Sequence, residues 1–421
     1  MIRRKIVLVS VGTVALAAGG AALSQQQVSP PIARYTVDAG TTSGMAAMAA
    51  GAGAGGVLSA LRGGGAQAIH ELQLRLGSSR APTGKPEGDH FMPPAAGLGA
   101  SVPLVTPVDS PSPRETGVPG MPQGQMPKGR LLLFWGCGEH APKGQPVVID
   151  FSKLARGQVP PGLFSQGVNL PDEWSVTRQN SKTYGEWPNA KDSKSVPANA
   201  SLLGAHSVKS TYAPDIAFTL SDDFMAPLNA ASRDTPSGAF DLSWNALPTA
   251  TGYYAWAMGA NTDARGEASD MVWWTSASTQ QFGGSLAEWL SPAAVRRLVD
   301  AGTVMPSSRT SCAIPAEVRQ AGAQMPMINL YAYGPQADFA YPPRPADAKA
   351  AWKPEWIARV RFRANTMIMH GMPGMGGFSS GENGSGNDGA SSSPQAPSAP
   401  VKPPCPKGLK GIAARAAGLC G

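Results

Sequence analysis

Residues 70–76 read His-Glu-Leu-Gln-Leu-Arg-Leu, with Leu72, Leu74 and Leu76 on one side of a strict alternation and Glu71, Gln73 and Arg75 on the other. Only an extended chain, whose side chains alternate with period two, separates these sets, so the segment predicts a half-buried strand. Similar short runs recur along the chain. Arg130–Gly136 and Gln145–Phe151 predict buried strands, His206–Tyr212 and Asp215–Ser221 a pair around Ala213-Pro214, and Ser101–Thr106 a short edge strand. Ala239–Trp244, Tyr253–Met258, Met271–Trp274, Met327–Tyr333 and Trp356–Arg363 continue the pattern, each rich in aromatic or branched residues and bounded by turn signals. The fold class expected is mainly β, an immunoglobulin-like antiparallel sandwich with a short inserted helical segment and flexible Gly/Pro-rich flanks. That segment lies near 285–301: Ser285 stands as N-cap, Glu288 at N3, and Leu290, Val295, Leu298 and Val299 precede Gly302. Pro292 is expected to divide it in two.

Glycine and proline, 50 and 40 of the 421 residues, set the divisions. Residues 81–130 hold 19 of them and 371–421 another 19, whereas 131–370 hold 37 in 240 positions, a density that permits a core. The expected organisation is a signal peptide at 1–24, a Gly/Ala-rich flexible segment at 25–66, and a strand with a Pro-rich linker packed on the body at 67–129. A β-rich domain follows at 130–235, then a sandwich at 236–366, a Met/Gly/Ser/Pro-rich linker at 367–404 and a short basic segment at 405–421.

Phe240-Asp-Leu-Ser-Trp-Asn-Ala-Leu-Pro-Thr-Ala-Thr-Gly-Tyr-Tyr-Ala-Trp256 resembles the strand-turn-strand of fibronectin type III-like domains, in which a strand Trp is followed by Pro and then by Tyr on the next strand. The resemblance covers about residues 239–258. It implies an immunoglobulin-like sandwich with Trp244 and either Tyr253 or Tyr254 in its core, and nothing catalytic; the helix at 285–301 departs from that family. Trp135-Gly-Cys-Gly-Glu-His140 resembles a segment of exported bacterial proteins of unknown function and carries no activity with it.

The formal charge of +7 shrinks on inspection, because residues 131–370 contain 20 bases and 20 acids. Nucleic-acid binding needs clustered Lys and Arg, which the chain lacks, so it is excluded. Arg3, Arg4 and Lys5, then a largely apolar stretch of 13 residues from Ile6 to Ala18, then Ala22-Leu23-Ser24, read as a secretory signal with a cleavage site before Gln25. The chain is therefore expected in the periplasm or secreted, with membrane contact only through an uncleaved N-terminal segment.

In an oxidising compartment Cys137, Cys312, Cys405 and Cys420 are disulfide candidates with three pairings open. A Cys137–Cys312 bridge would tie the two halves of the core. A helix over Gly408–Leu419 would hold Cys405 and Cys420 about 15–20 Å apart, beyond disulfide reach of about 7 Å. Cys137, Glu139 and His140 also form a C-x-E-H cluster of metal-ligating types, silenced if Cys137 is bridged. Met367, Met369, His370, Met372 and Met375 fall within nine residues, and thioethers suit Cu(I); no cofactor is expected, with copper at this cluster as the alternative. Gly51, Gly53 and Gly56 satisfy G-x-G-x-x-G without a preceding strand, and Gly377–Gly381 satisfies G-x-S-x-G inside a Gly/Ser/Asn tract, so both fail their structural context. Trp273 and Trp274 are the candidate ligand surface, although alternation sends them to opposite faces, one of them outward or beneath the 285–301 helix. The reading that results is an exported, non-enzymatic envelope or secreted binding module with a protein or glycan partner. The alternative is a periplasmic copper-binding protein using the cluster at 367–375.

Overall fold

The alternation at 70–76 is the alternation of the folded chain: Leu72, Leu74 and Leu76 are buried, whereas Glu71, Gln73 and Arg75 stay partly open. This computed structural model describes residues 28–51, 68–107, 129–155, 176–262, 268–282, 285–347 and 349–371. The expected signal peptide, the Pro-rich stretch at 108–128, Met372, Met375, Cys405, Cys420 and the basic C-terminal segment lie outside them.

In chain order the strands are β1 (Ala33–Ser43), β2 (Ile69–Ser78), β3 (Gly88–Phe91), β4 (Ser101–Pro103), β5 (Arg130–Trp135), β6 (Val147–Asp150), β7 (Thr183–Trp187), β8 (Gly204–Ser210) and β9 (Ile216–Leu220). They continue as β10 (Ala230–Asp234), β11 (Phe240–Trp244), β12 (Gly252–Thr262), β13 (Ala268–Thr275), β14 (Met305–Pro306), β15 (Ser311–Ile314), β16 (Met327–Tyr341) and β17 (Trp356–Met369). Among the described residues four α-helices accompany them, α1 (Gly44–Gly51), α2 (Phe151–Ala155), α3 (Pro292–Asp300) and α4 (Ala316–Gln320). The protein is mainly β, as the sequence predicts.

One large sheet runs β6-β5-β13-β12-β16-β17-β1-β2-β7, with β14 beside β12. Two small sheets, β4-β3-β8-β9 and β10-β11-β15, pack on its inner face. A single apolar cluster fills the space between. It joins Leu74 and Val37 to Val208, Ile216 and Phe218 on one side, and Tyr253 and Trp274 to Phe240, Leu242 and Trp244 on the other. The connector between the small sheets is stitched to β1, where the Thr41 hydroxyl donates to the Met225 carbonyl and the Ser43 hydroxyl to that of Leu228. Strand pairing crosses the 235/236 division: β5 runs parallel to β13, and β1 parallel to β17 from Ala33↔Trp356 to Ser43↔Thr366.

The outer face of the large sheet is partly covered by the chain at 285–300. The helix here starts later than the sequence predicts: Ser291, not Ser285, is the N-cap, its hydroxyl accepting from the Ala294 N–H. Pro292 opens α3, where its missing N–H costs nothing. Residues 285–287 form a separate turn of 3-10 helix. Leu286, Leu290, Val295 and Leu298 pack on Tyr254 and Tyr333 of the sheet.

Residues 33–43, expected within the flexible segment 25–66, instead form β1 inside the large sheet. Their inner positions are Ala33, Tyr35, Val37 and Ala39, and the outer Asp38 is fully buried. Its carboxylate accepts two bonds from Arg361 (2.7 and 3.0 Å) and one from Arg75 (2.7 Å), which offsets the desolvation of the charge. Gly44 then turns β1 into α1 at φ +64°, and a Cβ there would stand 2.5 Å from the Met367 carbonyl oxygen. Glycine is required by both conditions.

Candidate functional site

A cavity of about 500 Å³ opens where the sheet edge breaks beside β2. β7 pairs with β2 only from Leu74↔Trp187 to Ser78↔Thr183. The chain then leaves at Pro188 and returns to bridge His70 with Val196. Four residues separate His70 from Leu74 on β2, but nine separate Trp187 from Val196 on the partner chain, so the partner loop bows away from the edge. Asn189 fixes that bow: its side chain donates to the Pro103 and Glu186 carbonyls and accepts from the N–H groups of Lys191 and Asp192.

The notch is lined by charged and amide side chains of both polarities. Glu71 accepts a bond from Thr42 (2.7 Å) and lies 3.6 Å from Arg363. Arg75 donates to Asp38 and to the Gln73 amide oxygen. Glu186 accepts from the Tyr184 hydroxyl (2.7 Å), whose pKa burial and that carboxylate push upward. Lys194 pairs with Asp192 at 3.1 Å. Ile69, Leu72, Leu74, Pro188 and Val196 supply apolar wall. His70 stacks on Phe224 at 4.0 Å, and burial holds its pKa below the ordinary value against the pull of Asp223. The walls thus hold two acids, Glu71 and Glu186, two bases, Arg75 and Lys194, and the amide of Gln73.

Two further polar constellations lie on the inner side. The Tyr35 hydroxyl meets His90 Nδ1 at 2.6 Å, His90 Nε2 meets His206 Nδ1 at 3.0 Å, and His206 Nε2 meets the Leu202 carbonyl at 2.7 Å. A carbonyl only accepts, so His206 carries its proton on Nε2, His90 in turn donates from Nε2, and Tyr35 donates to His90 Nδ1. Every member is buried. Burial, with the neighbouring His206, pushes the His90 pKa down to about 3, and burial lowers that of His206. The second constellation lies at the end of β17, where His370 Nδ1 is 2.8 Å from the Ser232 hydroxyl and Nε2 is 3.2 Å from Asp234, which Arg319 also grips. Burial lowers the His370 pKa against the attraction of Asp234.

The sequence-derived candidates are placed as follows. Cys137 and Cys312 are joined in a disulfide with Cα atoms 5.1 Å apart, which ties the turn after β5 to β15. Cys137 is therefore no metal ligand, and its neighbour His140 contacts Glu317 at 3.2 Å. Trp274 points inward and is buried, donating to the Gly136 carbonyl. Trp273 points outward but lies flat against Trp256, 4.6 Å between ring centroids, with only 7% of its surface exposed. Met367 and Met369 share the outer face of β17, whereas His370 turns to the inner side against Phe240, so the structure separates the imidazole from those thioethers. Trp244 and Tyr253 face each other across the core, ring centroids 5.5 Å apart, and Tyr254 lies in the outer cluster.

The notch residues beyond β2 escape sequence reasoning, because Glu186 and Lys194 sit in loop-like sequence more than a hundred residues from Glu71. Among the described residues no group of three or more His, Cys, Asp or Glu side chains could hold a metal ion, and no helix is long and apolar enough to cross a membrane. A comparison of the chain with protein-family profiles and with curated proteins finds no match.

Proposed function

We propose that the chain is an exported, non-enzymatic binding module of the cell envelope and that its ligand is a glycan segment held in the notch beside β2. The observation that carries this reading is the lining itself. Glu71, Gln73, Arg75, Glu186 and Lys194 converge on one cavity of a size that takes small polar ligands. Carboxylate, amide and guanidinium groups are planar and present paired donors or acceptors, which match vicinal hydroxyls. The two acids and two bases balance, which favours a neutral polyhydroxylated ligand over an ionic one. Ile69 and Pro188 offer apolar surface to the C–H faces of a sugar ring.

The scaffold reading that accompanies this is immunoglobulin-like. It is supported by β10-β11-β15 facing β13-β12-β16-β17, with Trp244 and Tyr253 meeting between the two layers. That is the kind of strand order in which one sheet takes the first, second and fifth strands of a sandwich.

Titration of the full chain with neutral oligosaccharides, followed by calorimetry and by amide NMR shifts, tests the glycan assignment. The expected outcome is saturable binding with shifts confined to 69–75 and 186–196, weakened at least tenfold in Gln73→Ala and Glu186→Ala. Shifts elsewhere, or binding indifferent to both substitutions, would remove the notch from the proposal.

A further inference from the structure

The outer face of the large sheet brings together methionines that are far apart in sequence. Register sets Met258 of β12 opposite Met327 of β16, and Met327 opposite Met369 of β17. Residues paired in this way point to the same side, and their Cβ atoms lie about 4.5–5.5 Å apart. Three thioethers therefore form one row across three neighbouring strands. The alternate residues Ala257, Ile328 and Ile368 belong to the main core, so the row stands on the face turned away from it.

Two more methionines flank the row. Met367, opposite Asn329, is diagonal to Met327, and Met271, opposite Ala260, is diagonal to Met258. The five side chains are half-buried, neither locked in the interior nor lying free in solvent. The thioether side chain is unbranched and turns about three bonds, so neighbouring sulfurs can close on a common centre without moving the backbone.

Thioether sulfur is neutral, polarisable and soft, which selects soft monovalent cations over Zn²⁺, Ca²⁺ or Mg²⁺. We propose that Met258, Met327 and Met369 form a binding site for Cu(I), with Met367 and Met271 as its flanking residues. The ion enters and leaves as Cu(I), with no electron transferred. No ligand has to lose a proton, so the affinity is independent of pH across the range in which histidine titrates. His370, the next residue in the chain, is not a ligand, because its ring lies on the inner side between Ser232 and Asp234. This site is separate from the notch, and neither assignment depends on the other.

The test is an anaerobic competition in which the purified full chain draws Cu(I) from a chromophoric chelator, combined with NMR of methyl-labelled methionines. One equivalent is expected per chain, with the methyl signals of Met258, Met327 and Met369 moving most and the affinity level between pH 5 and 7.5. Met258→Leu/Met327→Leu/Met369→Leu should lower the affinity at least tenfold with an unchanged far-UV spectrum, while Met325→Leu, at an exposed position outside the row, leaves it unaltered. Should the triple variant fold poorly, the single Met327→Leu and the wild-type methyl shifts decide. The proposal is overturned if the chain takes no Cu(I) from the chelator or if the leucine variant binds as tightly. An affinity that collapses through pH 6 would equally overturn it, since that marks an imidazole ligand.

Discussion

The two small sheets are fastened to the large one by different means. The sheet β10-β11-β15 is bound covalently, since Cys312 of β15 is bridged to Cys137 beyond β5, and Trp244 packs on Tyr253 beside it. The sheet β4-β3-β8-β9 has no bridge and instead shares the hydrogen-bonded line Tyr35–His90–His206 with β1. A disulfide acts mainly on the unfolded chain and is indifferent to pH, whereas a line of neutral imidazoles acts on the folded chain and holds only while both rings stay uncharged. One molecule thus carries a redox-sensitive fastening on one side only, while the acid-sensitive line of two imidazoles holds the other, with the single His370 beside β10.

The comparison can be broken most severely at the bridge. The cysteines are 175 residues apart, and a loop of that length corresponds to about 5 kcal/mol in the chain-entropy account. Cys137→Ser/Cys312→Ser should therefore lose stability of that order in urea unfolding, with amide exchange accelerating first in β10, β11 and β15. Equal acceleration in β3 and β8 would show that the two sides do not respond separately.

Acid should act on the opposite side. His90 is neutral in the fold and its pKa falls from 6.5 to about 3, so the unfolded chain binds the extra proton between those values. Its stabilising contribution is complete above pH 6.5 and is lost as the pH falls toward 3. Unfolding free energies at pH 7, 6 and 5 should decline, with exchange rising first in β3 and β8. The variant Tyr35→Phe/His90→Leu/His206→Leu should flatten that slope, leaving the part that His70 and His370 contribute; an unchanged slope would assign the acid sensitivity to other groups.

A finer cut is Tyr35→Phe alone, which keeps the ring but leaves His90 Nδ1 without a donor in a dry interior. The expected cost is about 1–3 kcal/mol by denaturant titration, and a neutral substitution would mean that the line aligns groups without holding the sheets.

Most strands were legible because their alternation or apolar runs are local properties. β2, β5, β12 and β17 all fall where pattern predicts, although β12, β13, β16 and β17 extend further than the predicted runs. β1 was not legible, since its inner positions include the small Ala33 and Ala39 and its outer Asp38 is a burial that Arg75 and Arg361, the latter 323 positions away, make tolerable. β7 was hidden by Gly185, whose lack of a side chain lets the Tyr212 hydroxyl and the Leu104 carbonyl approach the backbone. For the same reason the candidate site was half legible. Alternation found Glu71, Gln73 and Arg75, but the opposing wall exists only once β7 ends and its loop returns. Met367 and Met369 announced themselves as neighbours in sequence, whereas Met258 and Met327 join them through strand register, which composition does not encode.

The parallel pairing of β1 with β17 has a kinetic corollary. Residue 33 is matched to residue 356, so β1, the first of the described strands, waits for β17, the last of them, before its ladder on that side can form. Closing so long a loop is slow, and here it divides the large sheet at its middle until β17 has been made. Until then β1 and β2 form a hairpin with one open edge, and β12 to β16 a separate half-sheet with another. β17 is the keystone that turns two aggregation-prone edges into the interior of one sheet.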